Sequence, residues 1–218
     1  MYDTAPARVP RLFSNSISGT KEHSRDVHNH IEEVLLTAEQ IQQRVRELGQ
    51  EITQTYRQRG AEEVILVALL RGASVFLADL ARTIDVSCTL EFMVVEKGHP
   101  EEDRGPIKII KDLDCSITNR HVIVVEDIID EGQTVQYVME ALRIRDPASL
   151  LIVTLFDKPA RRVAPVTADL VGFTVPDHWV VGYGLDYQQR YRNLPMLAVL
   201  NPQSMNPMSN AKVQLPVG

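Results

Sequence analysis

Hydrophobic positions along the chain alternate between a helical and a strand-like spacing. Over residues 37–59 apolar side chains recur every three or four positions, which predicts an amphipathic helix that ends at Gly60. Residues 64–70 form an unbroken apolar run rich in β-branched side chains, which is typical of a buried parallel strand. The same reasoning predicts helices over about 74–84 and 134–145, and strands over 88–95, 107–110, 122–125 and 150–156.

The order of these elements predicts an α/β fold. Strand, turn, helix and strand follow one another repeatedly, as in parallel sheets built with right-handed crossovers. In open sheets of this kind, ligands bind beyond the carboxyl ends of the strands. The residues that directly follow each predicted strand are therefore the first candidates for a functional site.

Composition and charge narrow the function classes. The chain has 218 residues, which suits one domain, and its net charge of −6 disfavours a non-specific nucleic-acid binder. No apolar run approaches the ~18 residues of a transmembrane helix, and the polar start of the chain has no apolar core typical of a secretory signal. Two cysteines are too few for a disulfide framework, so we expect a cytoplasmic protein.

The two ends of the chain differ in composition from the region between them. Residues 1–30 are polar and rich in turn-forming residues, which predicts a loose N-terminal arm. Residues 201–218 are rich in Pro, Asn and Met, which predicts a C-terminal tail. We therefore expect the folded domain over residues 31–200.

The strongest candidate site follows the apolar strand at 122–125. Three carboxylates, Glu126, Asp127 and Asp130, come first, and adjacent acids repel each other unless a cation or hydroxyl groups bind there. Gly132 and Thr134 then open the next helix, whose first N–H groups suit a phosphate. Acids and N–H groups together predict a site for a sugar phosphate. Neither a Walker loop nor the G-x-G-x-x-G dinucleotide fingerprint is present in the sequence.

This acidic turn resembles the phosphoribosyl-diphosphate motif of type I phosphoribosyltransferases, and residues 31–200 resemble their hypoxanthine-guanine branch. The resemblance implies a central parallel sheet of about five strands flanked by helices, with a small hood built from about 31–36 and 171–200. It also implies small-molecule substrates rather than nucleic acid or a membrane, Mg²⁺ as cofactor, and a homodimer or homotetramer.

The resemblance implies a role for each matching residue. Asp130 would be the catalytic carboxylate near purine N7. We expect Glu131 to turn outward, because its carboxylate would repel a phosphate. The ribose 5-phosphate would contact Glu126, Asp127, Asp130, Glu131, Gly132, Gln133 and Thr134. The purine would contact Lys158, Trp179, Val180 and Asp186, the pyrophosphate would contact Arg71, Gly72 and Arg192, and metal would be held by Glu126, Asp127 and Asp186.

The implied reaction transfers 5-phosphoribosyl from phosphoribosyl diphosphate to N9 of hypoxanthine or guanine. A xanthine-preferring transferase, an RNA-binding regulator of the same fold and a catalytically dead binding module are the alternatives. Residues 96–106 would form a lid, but Val94-Val95-Glu96-Lys97 replaces the Ser-Tyr pair usual in the family. The resemblance also implies a cis peptide bond before Gly72.

Overall fold

The computed structural model describes residues 30–96 and 107–201. The predicted arm lies outside the described residues except for His30, and so does the predicted tail except for Asn201. Of the predicted lid, only Glu96 is described, and it is the last residue of a strand. Val94 and Val95 also belong to that strand, and Lys97 lies outside the described residues.

Among the described residues, the main sheet has six strands, and five of them are parallel, which confirms the predicted α/β architecture. In chain order the strands are β2 (Glu63–Leu70), β3 (Ser87–Glu96), β4 (Lys108–Lys111), β5 (His121–Ile129), β6 (Ser149–Asp157) and β7 (Leu170–Thr174). Their order in the sheet is β4-β3-β2-β5-β6-β7, and only β4 runs antiparallel to its neighbour. Strands β2, β5 and β6 therefore lie at the centre.

In the part of the chain that the structure describes, three α-helices cover the two faces of this sheet. They are α1 (Ala38–Gln58), α2 (Ala73–Ala81) and α3 (Gln133–Arg143). Leu66 and Ala68 of β2 share one hydrophobic cluster with α1 and α2, whereas Ile65 and Val67 share the other with α3. Because successive strand residues face opposite sides, this alternation buries both faces of β2.

Helix boundaries follow local capping chemistry. The Thr37 hydroxyl accepts a hydrogen bond from the Gln40 N–H, and the Gln40 side chain accepts one from the Thr37 N–H, so α1 begins with a capping box. Helix α2 is shorter than expected and is preceded by Gly72. Ser74 lies inside it and donates to the Arg71 carbonyl instead of capping the helix.

The hood is a separate antiparallel sheet of three strands. Strand β1 (Ile31–Leu36) pairs with β9 (Leu197–Leu200), which also pairs with the short β8 (Val180–Val181). The expected hood began at residue 171, but residues 171–174 belong to β7, which pairs with β6 in the main sheet. None of the helices in the described ranges has the length and hydrophobicity needed to cross a bilayer.

Candidate active site

A cavity of about 630 Å³ opens where β5 and β6 end, beneath the hood. Twelve of the fourteen predicted site residues line it, and the two that do not are Arg71 and Gly72. The strands bring these groups together because their carboxyl ends meet at one edge of the parallel sheet. Residues predicted from separate parts of the sequence therefore lie together around one cavity.

Glu126 and Asp127 lie within β5, where the sequence had predicted a turn. The strand continues to Ile129, and Glu126 pairs in register with Thr154 of β6. Both acids are partly buried. The strand extends because Ile128 and Ile129 keep pairing with Phe156 and Asp157 beyond the two acids.

Burial disfavours the ionised forms of the adjacent Glu126 and Asp127 side chains. The pKa of Glu126 is raised well above its usual range by burial and by the neighbouring Asp127 carboxylate. Burial also raises the pKa of Asp127 to about 6, although the Ile128 N–H donates to its Oδ1 at 2.8 Å and opposes that rise. Within the described part of the chain, the buried Glu126 Oε2 has no hydrogen-bond partner. A hydroxylated or cationic ligand would satisfy this pair.

The predicted phosphate turn is built around Gly132. This residue has φ +84° and directly precedes α3, whose first N–H groups have no partner within the helix. A Cβ atom at Gly132 would lie 2.6 Å from Val166 and 2.8 Å from the Arg162 side chain, so only glycine fits. The Glu131 carbonyl accepts hydrogen bonds from the Val163 and Ala164 N–H groups. The expected outward direction of the Glu131 side chain stays a prediction.

Arg162 holds this turn from behind. Its guanidinium donates to the backbone oxygens of Asp130 at 2.9 Å, Ile129 at 3.2 Å and Val166 at 2.7 Å. It also pairs with the Asp157 carboxylate at the end of β6. One side chain thereby joins the ends of two strands to the segment that supports Gly132.

Asp130 lies at the start of a row of alternating charges along the cavity wall. Arg161 Nε is 3.3 Å from Asp130 Oδ1 and 4.0 Å from Asp177 Oδ1, which in turn is 3.9 Å from Lys158 Nζ. Asp130 Oδ1 is buried and accepts no hydrogen bond of good geometry from the described residues. The row places an acceptor at Asp130 and a cation at Lys158 along one side of the cavity.

The purine end combines a buried ammonium with an exposed aromatic face. Lys158 is 5% exposed, and its Nζ donates to the His178 carbonyl at 2.9 Å, which leaves two further N–H bonds for a ligand. Trp179 is 52% exposed, with its ring edge-on to Tyr187. Val180 follows in β8 with its side chain buried. A flat ring with an oxygen substituent suits this corner.

The pyrophosphate end is formed by residues from the loop between β2 and α2 and from the loop before β9. Arg192 pairs with Asp186 at 2.7 Å and donates to the Gly184 carbonyl at 2.7 Å. Arg71 and Arg192 both donate to Gln189 Oε1, at 3.1 and 3.0 Å. The two predicted arginines are thus linked through Gln189, although Arg71 lies outside the cavity lining.

Gly72 lies against Asp127. A Cβ atom at Gly72 would be 1.6 Å from Asp127 Oδ2, so any larger residue there would have to displace the Asp127 carboxylate. The cis peptide bond of this loop joins Leu70 to Arg71, one peptide earlier than expected.

A magnesium ion at this site would take its ligands from protein carboxylates, water and substrate phosphates together. Among residues 30–96 and 107–201, no three His, Cys, Asp or Glu side chains gather to bind one metal ion. Mg²⁺ is commonly held by one or two carboxylates together with water and substrate phosphates. The adjacent Glu126 and Asp127 fit that pattern, and the orphaned Glu126 Oε2 is a ready acceptor for a metal-bound water.

Three residues at or beside the cavity were not predicted from the sequence, namely Arg161, Arg162 and Gln189. Arg161 and Arg162 come shortly after β6, as Lys158 does, so the rule that ligands bind beyond strand ends could have singled them out. Gln189 gives no such signal, because its contact to Arg71 joins residues 118 positions apart.

The chain matches the phosphoribosyl transferase domain family over residues 33–188. It belongs to that family. The chain is 48% identical over 173 residues to a hypoxanthine-guanine phosphoribosyltransferase of Bacillus subtilis, covering 79% of this chain and 94% of the relative. A crystal structure of a hypoxanthine phosphoribosyltransferase from Staphylococcus aureus is 43% identical, with a TM-score of 0.78, covering 82% of this chain and 96% of that one. The chain is therefore a type I phosphoribosyltransferase of the hypoxanthine-guanine branch.

A longer relative extends the similarity along the chain. The bifunctional TilS/HprT protein of Listeria monocytogenes is 42% identical over 203 residues. The match covers 93% of this chain but only 31% of that protein. This chain thus spans about a third of that curated relative.

Proposed function

We propose that the protein transfers 5-phosphoribosyl from phosphoribosyl diphosphate to N9 of hypoxanthine or guanine, giving IMP or GMP and pyrophosphate. The observation that carries the proposal is one cavity with a phosphate turn, paired acids, a buried lysine and an exposed tryptophan. The bond from ribose C1′ to pyrophosphate oxygen breaks, and a bond from C1′ to purine N9 forms. The enzyme therefore has to bind two anionic groups, one neutral base and a sugar cation between them.

The sugar phosphate occupies the acidic strand end and the turn after it. Glu126 and Asp127 hold the ribose hydroxyls, and the N–H groups at the start of α3 hold the 5-phosphate. A carboxylate pair beside the ribose also stabilises positive charge that develops on the sugar as pyrophosphate leaves. Residues at this end thus bind the substrate and favour the departure of its leaving group.

The purine lies on Trp179 with its 6-oxo edge toward Lys158. Nζ of Lys158 donates to the 6-oxo group, and Asp130 accepts the proton from the neighbouring N7 side of the base as N9 becomes nucleophilic. This orientation explains why a buried cation and an acceptor stand on the same wall, joined by Arg161 and Asp177. Adenine carries an amino group where Lys158 needs an acceptor, so we expect the site to reject it.

Arg71 and Arg192 receive the departing pyrophosphate. When bound beside Glu126 and Asp127, or near Asp186, Mg²⁺ would neutralise charge on the diphosphate oxygens. Arg192 is preorganised for an anion by its bonds to Asp186 and Gly184. A homodimer or homotetramer and a cytoplasmic location stay predictions of the sequence.

A panel of four bases tests the proposal. Nucleotide formation is followed by absorbance with phosphoribosyl diphosphate, Mg²⁺ and each of hypoxanthine, guanine, xanthine and adenine. We expect turnover of hypoxanthine or guanine and none of adenine. Turnover of xanthine alone would contradict the substrate assignment but keep the reaction, and no turnover with any base would favour the regulator or the dead module.

The Asp130→Asn variant tests the catalytic carboxylate. General acid–base groups contribute about 100-fold or more to rate, so we expect kcat to fall by about that factor while KM for the base changes little. Asp146→Asn is the matched control, because Asp146 is exposed in the turn after α3 and does not line the cavity. Equal kcat in both variants would contradict the role of Asp130.

A further inference from the structure

A partly buried hydrogen bond ties the loop before β9 to helix α2, outside the cavity. The Tyr183 hydroxyl donates to Asp79 Oδ2 at 2.5 Å, and Tyr183 is only 5% exposed. Asp79 also pairs with Arg82 on the same helix. Neither Tyr183 nor Asp79 lines the cavity, so neither is a candidate for contact with substrate.

The backbone around Tyr183 is held in an uncommon conformation. Tyr183 has φ +47°, and the glycines on either side have φ +101° and +99°. A side-chain-bearing residue adopts this region only where its surroundings fix it. Two contacts do so here, because the Tyr183 N–H donates to the Leu194 carbonyl at 2.7 Å and its hydroxyl is bound by Asp79.

This anchored segment forms one wall of the pyrophosphate end. Gly184 follows Tyr183 directly, and its carbonyl accepts the Arg192 guanidinium at 2.7 Å. The Gly184 N–H donates to the Arg192 carbonyl at 3.0 Å. The position of Tyr183 therefore sets where the Arg192 side chain is held.

The opposite wall is formed by the loop from which α2 begins. Gly72 directly precedes α2, and a Cβ atom at Gly184 would lie 2.3 Å from the Gly72 carbonyl oxygen. Gly72 in turn lies against Asp127. The two walls thus touch at Gly72 and Gly184, and Asp79 of α2 and Tyr183 fasten them a short distance behind that contact.

We propose that Tyr183 and Asp79 are positioning residues that set the spacing between the two walls of the pyrophosphate end. Their hydrogen bond holds the Gly184–Arg192 segment against the Arg71–Gly72 loop, so that both arginines reach one diphosphate group. This inference rests on the proposed function, because it assigns the diphosphate to this end of the cavity. It predicts that breaking the bond weakens diphosphate binding selectively and leaves the purine and 5-phosphate ends intact.

Two substitutions test the pair with little change of shape. In Tyr183→Phe and Asp79→Leu, which remove the donor and the acceptor of this bond, we measure the Kd of inorganic pyrophosphate with Mg²⁺, the Kd of IMP and the KM of both substrates. Loss of a hydrogen bond to a charged group costs about a factor of 10 in affinity when it acts on binding. We expect the Kd of pyrophosphate and the KM of phosphoribosyl diphosphate to rise about 10-fold, with the Kd of IMP and the KM of hypoxanthine within about twofold of wild type.

The double variant and a control separate positioning from general stability. If the two residues act through one bond, the double variant binds pyrophosphate no more weakly than the worse single variant. Tyr56→Phe is the matched control, because Tyr56 is fully buried and its hydroxyl lies 3.3 Å from Ser149 Oγ at the opposite end of β6. We expect it to lower Tm without changing the Kd of pyrophosphate.

Two further outcomes would contradict the inference and the proposed function separately. Tyr183→Phe could lower Tm and either weaken the binding of pyrophosphate and of IMP equally or leave both affinities unchanged. In either case the pair has only a structural role and the inference is wrong. If the wild-type protein neither binds pyrophosphate nor forms nucleotide from any base, the proposed function itself is wrong.

Discussion

Folding buries the Asp127 carboxylate in the lining of the cavity, where a bound ligand can supply hydrogen bonds or positive charge. Its carboxylate lies within a strand, beside Glu126 and against Gly72. Burial raises its pKa to about 6, above the value near 4 of an unfolded chain. The protein therefore keeps this acid at a cost in stability, which is typical of binding and catalytic sites.

The raised pKa of Asp127 predicts a pH-dependent gain in stability on its removal. The folded state holds the proton more tightly than the unfolded state, so the wild-type protein loses stability as pH rises from about 4 through 6. Asp127→Asn avoids this loss. We expect its Tm in metal-free buffer at pH 7.5 to exceed that of wild type by about 6–12 °C, and the difference to shrink as pH falls toward 4.

The control for this prediction is Asp146→Asn. Asp146 is exposed and has φ +51°, a conformation that asparagine also tolerates. Its removal should leave the pH dependence of Tm unchanged. A variant of Asp127 that is less stable than wild type at pH 7.5 would show that the carboxylate is stabilising and that the electrostatic description is wrong.

Residue types and their order pointed to residues that line the cavity, but not to the groups behind them. Asp130, Lys158 and Trp179 follow strands or match a motif, so the sequence marked them. Tyr183 lies within residues 33–188, which match the family, yet its partner Asp79 is 104 positions away. Such pairings arise only when the sheet brings distant segments together, and a single sequence contains no measure of that distance.

At the scale of the elements, Arg162 stabilises the junction where β5, α3 and the segment after β6 meet. Its guanidinium satisfies three backbone carbonyls and one carboxylate, and its side chain is 16% exposed. Asp157, its acidic partner, is 19% exposed. Removing the arginine leaves these acceptors buried without their donor, which is more costly than losing a surface ion pair.

Arg162→Met should therefore destabilise the protein and loosen the phosphate turn. Breaking a buried pair by removing one partner costs about 3–5 kcal/mol, which lowers Tm by roughly 6–20 °C in a domain of this size. We also expect a higher KM for phosphoribosyl diphosphate, because Gly132 loses its support. Differential scanning fluorimetry and steady-state kinetics measure the two effects.

Arg120→Met is the control for that element. Arg120 pairs with Glu63 at 2.7 Å, but the two side chains are 34% and 43% exposed. Pairs of this kind contribute up to about 1 kcal/mol, so Tm should fall by no more than roughly 4 °C. Equal losses of Tm in the two arginine variants would contradict a special role for Arg162.

The elements themselves were predicted well where hydrophobic spacing is regular. Helix α1 begins and ends within a residue of the prediction, because the capping box and Gly60 are local signals. Strand β5 extends four residues beyond its prediction. The reason is that Glu126 and Asp127 read as turn residues in the sequence, whereas pairing with β6 keeps their backbone extended.

For the whole molecule, alternation of strands and helices predicted the parallel sheet and the edge at which ligands bind. The antiparallel β4 and the change from sheet to hood after β7 were not visible in that pattern. Both depend on which strand each segment pairs with. The hood matters for function, because it brings Trp179 and Val180 over the ends of β5 and β6.

A crystal structure with IMP, pyrophosphate and Mg²⁺ tests the central claim most directly. We expect the 5-phosphate on the N–H groups at the start of α3, the purine on Trp179 with its 6-oxo group at Lys158, and pyrophosphate between Arg71 and Arg192. A nucleotide bound with its phosphate away from Gly132–Thr134, or with its base edge turned away from Lys158 and Asp130, would contradict the account.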